Sequence, residues 1–215
     1  LLYGDDPAQG FVVGRRFAHP VMRIAFEAPP GFTLTNSPQA ILIEGPDGAR
    51  GEFSGGRLPP AGIEAYAEAL LRQMLGDTPA EVASARRAVV HDVPAVVLQA
   101  VVSTRSGAVP LSLAAFAGAD GSAYHFLLVS HPGTAPSPAL ATLFGSFRML
   151  TNDEVAALKP RYLRVRRVAP GETPRSLARE MASDQPLERF LMLNDRKAGD
   201  PLRPGEAVKL IAWGA

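Results

Sequence analysis

Four histidines, His19, His91, His125 and His131, are the side chains of this 215-residue chain most able to hold a metal or move a proton near neutral pH. A zinc hydrolase needs two of them four residues apart on one helical face, with a glutamate between them as general base. None of the four stands in a His-Glu-x-x-His arrangement. His125 and His131 lie six positions apart around an apolar run and would face one side of a regular strand, and Asp92 beside His91 offers a carboxylate. His19 and His131 each precede proline, where a turn accounts for them, so a structural role is the reading taken for all four. A serine nucleophile fares no better, because Gly145-Ser146-Phe147 lacks the second glycine of a nucleophile elbow. Gly51-Glu52-Phe53-Ser54-Gly55-Gly56 has neither the Lys-Ser/Thr ending nor the following helix of a phosphate loop. Asp5-Asp6 pairs two carboxylates, but in a turn-rich opening where turn formation explains them. Cysteine is absent, which removes disulfides, thiolate nucleophiles and cysteine-based metal sites. The expectation is a stretch with no catalytic residue, no metal and no cofactor of its own.

Charge offers a second kind of chemistry. From Lys159 onward there are 12 Lys and Arg against 7 Asp and Glu, while the preceding residues carry 10 against 14, so a net charge of +1 hides a basic C-terminal part. Arg161, Arg164, Arg166 and Arg167 are crowded into seven positions and form a candidate contact for an anionic surface, the alternative being a solvated face. Nucleic acid is not the expected partner, since among these arginines only Tyr162 could stack on a base. No apolar run reaches eighteen residues, hence no transmembrane helix is expected. The apolar fraction of 47% with 20% charged residues predicts a real core, and 20 Gly with 20 Pro predict many turns. A start at Leu1-Leu2, without Met or signal pattern, is read as a piece of a longer protein.

Residues 1–10 read as a linker. Short apolar runs then follow at Phe11-Val12-Val13, at Met22, Ile24 and Phe26 alternating with Arg23, Ala25 and Glu27, at Phe32 to Thr35, and at Ala40 to Ile43 with a hairpin back through Arg50 to Ser54. Ile63, Ala67, Leu70, Leu71, Met74 and Leu75 form one helical stripe, and Gly76 stands where a C-terminal stop belongs. Strands resume at 85–90, 95–104, 111–117 and 124–130, broken at Asp92-Val93-Pro94, Ser106-Gly107 and Asp120-Gly121, which predicts an antiparallel meander. Ser137-Pro138 opens a short helix, and Thr151 with Glu154 is a capping-box pattern for another in a 151–160 linker. Residues 11–150 are therefore expected to form an α+β domain built on an antiparallel sheet.

Residues 161–215 read as a separate small βααβ domain. The run from Tyr162 to Val168 is extended, Thr173 caps a helix over Arg175 to Met181 with Pro174 at its first position, Asp184-Gln185-Pro186 restarts a second helix, and Ala207 to Ile211 is the closing strand. Gly171-Glu172-Thr173 with Ser176-Leu177-Ala178-Arg179, then Leu193-Asn194, then Leu202-Arg203-Pro204-Gly205, resemble a LysM domain. Pro174 departs from that pattern, standing where a large apolar residue usually follows the turn. The resemblance implies a shallow groove for the N-acetylglucosamine-containing backbone of peptidoglycan. Here it would lie between Gly171, Glu172, Thr173 and Pro174 on one side and Asn194, Asp195 and Arg196 on the other, with free backbone amides and carbonyls for N-acetyl and hydroxyl groups. The competing reading makes Thr173 a cap and Asn194 a helix stop, with no ligand.

Ile24 to Phe32, Pro94-Ala95 at the start of a strand, and Ser146-Phe147-Arg148 are similar to the PsbP-like fold, a likeness that implies an antiparallel-sheet α/β/α sandwich for residues 11–150. Together with Tyr3-Gly4-Asp5-Asp6-Pro7, Gly10-Phe11-Val12, His19-Pro20, Pro30-Gly31-Phe32 and Asn36 to Ala40, the chain resembles the C-terminal, non-catalytic region of bacterial zinc metalloproteases of the BepA/HtpX/CAAX-protease superfamily. That likeness implies a periplasmic or envelope location and an upstream protease domain of the same chain as partner, with zinc held there. It also implies a role in positioning or regulating the protease, with peptidoglycan as a further partner of the tail. The alternative is a stand-alone periplasmic glycan-binding or scaffold protein.

Overall fold

A computed structural model describes residues 2–3, 9–183 and 185–214. Two compact units divide the chain, one of Ala8–Val155 and one of Leu1–Pro7 with Ala156–Ala215. The chain opens with β1 (Leu2–Tyr3), which pairs far along the sequence and so belongs to the second unit rather than to a linker. Gly4 to Ala8 lie outside the described residues, and with them the Asp5-Asp6 pair.

In the larger unit the order is β2 (Phe11–Val13), β3 (Arg16–His19), β4 (Ile24–Glu27), β5 (Thr33–Asn36), β6 (Ile41–Glu44), β7 (Arg50–Arg57), α1 (Ile63–Leu75), β8 (Ala80–Val90), β9 (Val93–Thr104), β10 (Gly107–Ala117), β11 (Ser122–Val129), α2 (Ala139–Gly145) and β12 (Arg148–Met149). Then α3 (Asn152–Ala157) leads onward. Every strand pairing among the described residues is antiparallel. A seven-stranded sheet runs β5-β6-β7-β11-β10-β9-β8, and a four-stranded one runs β12-β4-β3-β2. The fold is α+β, built from antiparallel sheets with few helices.

Alternation along β10 shows how both faces of the large sheet are used. Leu111, Leu113 and Ala115 join Ile63, Tyr66 and Ala67 of α1 in one core, while Ala114 and Phe116 join Phe17, Ile24 and Phe26 of the small sheet and Leu140, Leu143 and Phe144 of α2 in another. A helix therefore covers one face, and a small sheet with a helix covers the other. Ala25, which alternates with Ile24 and Phe26 on the other side of β4, is nevertheless only 2% exposed, while Glu27 on that side is open to solvent. The α1 stripe is buried only at its start. Met74 is 40% exposed.

Local chemistry explains the joints. The β8/β9 turn is His91-Asp92, one position earlier than expected; both residues have positive φ, 45° and 66°, the geometry of a two-residue hairpin turn. Leaving the turn through Val93 frees Pro94 to sit in a strand where no outgoing N–H is needed. Ahead of α3, Glu154 N–H donates to Thr151 Oγ1 (3.3 Å) and Thr151 N–H to Glu154 Oε2 (2.9 Å), the expected capping box. Arg148 adds a fork of two bonds to the same carboxylate, which with the Thr151 N–H holds Glu154 down at about 2.

The smaller unit adds β13 (Arg161–Arg167), α4 (Pro174–Ala178), α5 (Pro186–Leu193) and β14 (Ala207–Trp213) to β1, with sheet order β1-β13-β14. Leu177, Ala178, Met181, Phe190, Val208 and Ile211 form its core. Strand, helix, helix, strand is the expected order, although α4 stops at Ala178 and Asp184 lies outside the described residues.

Candidate functional site

Gly171, at φ 83°, turns the chain into α4, a conformation that glycine adopts without a steric penalty. Thr173 then caps the helix. Its Oγ1 accepts from Ser176 N–H at 3.1 Å while its own N–H donates to Ser176 Oγ at 2.9 Å. Pro174 occupies the first helical position and is buried. Glu172 turns back toward the strands: Ala169 N–H donates to its Oε2 at 2.7 Å, and Arg166 pairs with its Oε1. The Ala169 N–H first, and then Arg166, hold the Glu172 carboxyl below the usual range.

At the other candidate loop, Asn194 is a connector. Its Nδ2 donates to Phe190 O (2.9 Å) and Lys209 O (3.0 Å), and its Oδ1 accepts from Lys209 N–H (2.7 Å). One side-chain amide thus pairs with the outer edge of β14 as a neighbouring strand would. Two residues on, Ile211 O accepts from Ala182 N–H (2.8 Å) and Ile211 N–H approaches Met181 Sδ (3.2 Å). Asp195 has φ 50°, and Arg196 donates to Pro201 O (3.1 Å) and pairs with Glu206. Arg166 lies opposite Val208 and Val165 opposite Lys209, so the two loops are anchored one step apart on the β13/β14 ribbon.

Apart from that of Gly171, the amide donors expected to be free are taken up. Glu172 N–H bonds Ala169 O, Thr173 N–H bonds Ser176 Oγ, Pro174 has none, and Asn194, Asp195 and Arg196 N–H bond Phe190, Met192 and Leu191 carbonyls. What remains for a ligand is mainly carbonyl oxygen, suited to hydroxyl donors rather than to an acetyl oxygen. The side chains of Glu172, Thr173, Asn194 and Arg196 are equally committed, so their removal tests the fold. Asn194→Ala is expected to cost about 1–3 kcal/mol, because it releases the β14 edge. Thr173→Ala should cost about 1 kcal/mol as a lost cap. Urea denaturation of the two variants measures both, and equal small losses would mean that Asn194 is not a connector.

The basic strand is also tied inward. Arg166 bonds Glu180 Oε2 at 2.5 Å as well as Glu172, and Glu180 above all raises its pKa further. Arg167 donates to Gly205 O (2.8 Å), Arg164 to Trp213 O (3.4 Å) and Arg161 to Ala182 O (3.5 Å). Ser176 was legible as a capping partner three residues beyond Thr173, whereas nothing local pointed to Glu180, Glu206 or the Lys209 backbone.

Each histidine has a structural neighbour. His125 Nδ1 lies 2.9 Å from Tyr66 Oη on α1, both buried; burial pushes His125 down to about 4 and Tyr66 up to about 12. His131 lies in an exposed loop against Pro132 O, not beside His125, so the supposed common face is lost where β11 ends at Val129. His19 Nδ1 accepts from Met22 N–H (3.2 Å), and His91 Nε2 approaches Gly145 O (3.0 Å). Among the described residues no three His, Asp or Glu side chains converge as a metal site, and no helix is long and apolar enough to cross a membrane.

No family model and no curated protein matches the chain. Several solved structures are similar in fold, two of them as follows. Cyanobacterial PsbP (CyanoP) from Synechocystis sp. PCC 6803 gives a TM-score of 0.48 at 14% identity, covering 68% of this chain and 98% of that one. A protein from Bacteroides thetaiotaomicron VPI-5482 gives 0.46 at 12% identity, covering 79% of this chain and 58% of that one.

Proposed function

We propose that the chain is a non-catalytic accessory region that works with a zinc metalloprotease of the cell envelope, the larger unit positioning or regulating the protease and the smaller one serving as a tether. The observation that carries this reading is the commitment of the polar groups most able to do chemistry. His19, His91, His125 and His131 each bond a structural neighbour, and Glu172, Thr173, Asn194 and Arg196 hold the small unit together. The zinc of this reading belongs to the upstream protease domain. The test compares the whole gene product with a version lacking this region. Zinc content should stay constant while substrate cleavage in envelope fractions falls several-fold. Unchanged cleavage and location, or a gene without a His-Glu-x-x-His helix, would sink the reading.

Peptidoglycan contact through the small unit is a second reading, favoured by the carbonyl-rich turn at Gly171 and the turn at Asp195. Its test is co-sedimentation of the folded chain with purified peptidoglycan, beside a heat-unfolded control and a salt series. Retention by the folded form alone supports a tether to the wall. Equal retention of both forms counts against it.

A further inference from the structure

We infer that the outer edge of β8, with the groove beside it, is a docking site for an extended peptide that carries an acidic side chain flanked by apolar ones. The large sheet ends at β8, an eleven-residue strand exposed over nearly all its length. A long open edge is a template for strand addition. The hairpin sets which groups are offered. Its two-residue turn makes Val90 and Val93 a bonded pair, so Ala88 and Arg86 bond inward while Val89, Arg87 and Ala85 turn their N–H and C=O outward. Val89 faces Pro94, which fits a position of no bonding between the two strands.

Beside this edge runs a groove of about 410 Å³, between the β8/β9 surface and α2, within the size range of ligand sites. Ala88, Val90, Val97, Pro138 and Phe144 give it an apolar lining, and Arg86 is the one ionisable group on its walls. The neighbouring Arg87 projects to the opposite face, where Glu64 pairs with it. Arg86 has no ion pair or side-chain hydrogen bond among the described residues. A cation unmatched on an apolar groove favours a carboxylate with apolar neighbours, two residues apart on one face of an added strand. A second copy of this chain fits poorly. Antiparallel self-pairing over residues 85–89 brings Arg86 and Arg87 of both strands together, and the bulge between Val82 and Ser84 breaks the register beyond.

The experiment titrates the full chain into a fluorescein-labelled peptide with a Val-Thr-Glu-Thr-Val core, read by anisotropy, beside the same peptide with lysine for glutamate. The glutamate peptide should bind about tenfold tighter than the lysine peptide. Arg86→Glu should reverse that preference. Val89→Pro removes an outward N–H without touching the β8/β9 ladder, and should abolish binding of both peptides while the melting temperature stays within a few degrees. Equal affinity for the two peptides, binding by Val89→Pro as by the parent, or no binding at millimolar peptide would overturn the inference. So would a dimer in sedimentation that Val89→Pro dissolves, since the edge would then be occupied by a second copy.

Discussion

Gly51→Ala is expected to destabilise the larger unit by about 3 kcal/mol, the upper range for overpacking, read as a fall in urea midpoint at constant slope. Gly51 sits inside β7, opposite Ile43 on one side and Leu128 on the other. A Cβ there would lie 2.0 Å from Leu127 O and 2.6 Å from Leu128 Cα. Both are backbone atoms of β11, so relief requires that a central strand move. The need is for space and not for an unusual φ, because Gly51 is absent from the positive-φ residues. Gly145 is the control: nothing lies within 4 Å of its added Cβ, and Gly145→Ala in α2 should be neutral or slightly stabilising. Equal effects at the two sites would show that β11 yields easily.

Acid should weaken the same unit through His125. Its pKa is held down to about 4 by burial, against 6.5 in an unfolded chain. Between those values the unfolded state binds the extra proton, so stability is fully present above pH 6.5 and is lost as pH falls toward 4. The loss amounts to about 3 kcal/mol, with no further contribution from this group below the folded value. Facing the ring are Tyr66 from α1, Ser54 across on β7 and Ala115 on β10. None is a carboxylate able to stabilise the imidazolium. The difference between the stability profiles of the parent and of His125→Gln isolates the effect from other carboxylates that titrate over this range. Parallel profiles would refute it.

Elements governed by local periodicity were legible in the sequence. The α1 stripe ended by Gly76, the β8 to β11 meander, the Thr151/Glu154 box and the Thr173 cap all follow from residues within a few positions of each other. Failures arose where a distant partner decides. Ala25 reads as polar-face by alternation with Ile24 and Phe26 yet is buried, which the pattern along β4 alone does not predict. The extended length of β8, from Ala80, is invisible in the short run Ala80-Glu81-Val82-Ala83-Ser84, and is imposed by pairing with β9. The proline after His131 marks a turn and argues against a metal pair with His125, but the partner that His125 does have, Tyr66, is 59 residues away and beyond the reach of local signals. For the candidate loops, residue types were read correctly as turn and cap formers. Their side chains serve the fold through Arg166, Glu206 and the β14 edge, partners that spacing does not reveal.

Because Leu2 pairs with Tyr162 and Tyr3 with Arg161, the small sheet is stitched across the whole intervening unit. On the ribosome, residues 2 and 3 emerge well before their partner strand and must wait for it until some 160 further residues have been made. The larger unit has every strand it needs before then and can form ahead of its neighbour. Closing so long a loop for a two-residue pairing is entropically expensive if the intervening chain is loose, and much less so once that chain is folded. Attachment of β1 therefore depends on the order of events during synthesis, and a slow or misfolded larger unit would leave β13 with one open side as a target for chaperones or proteases.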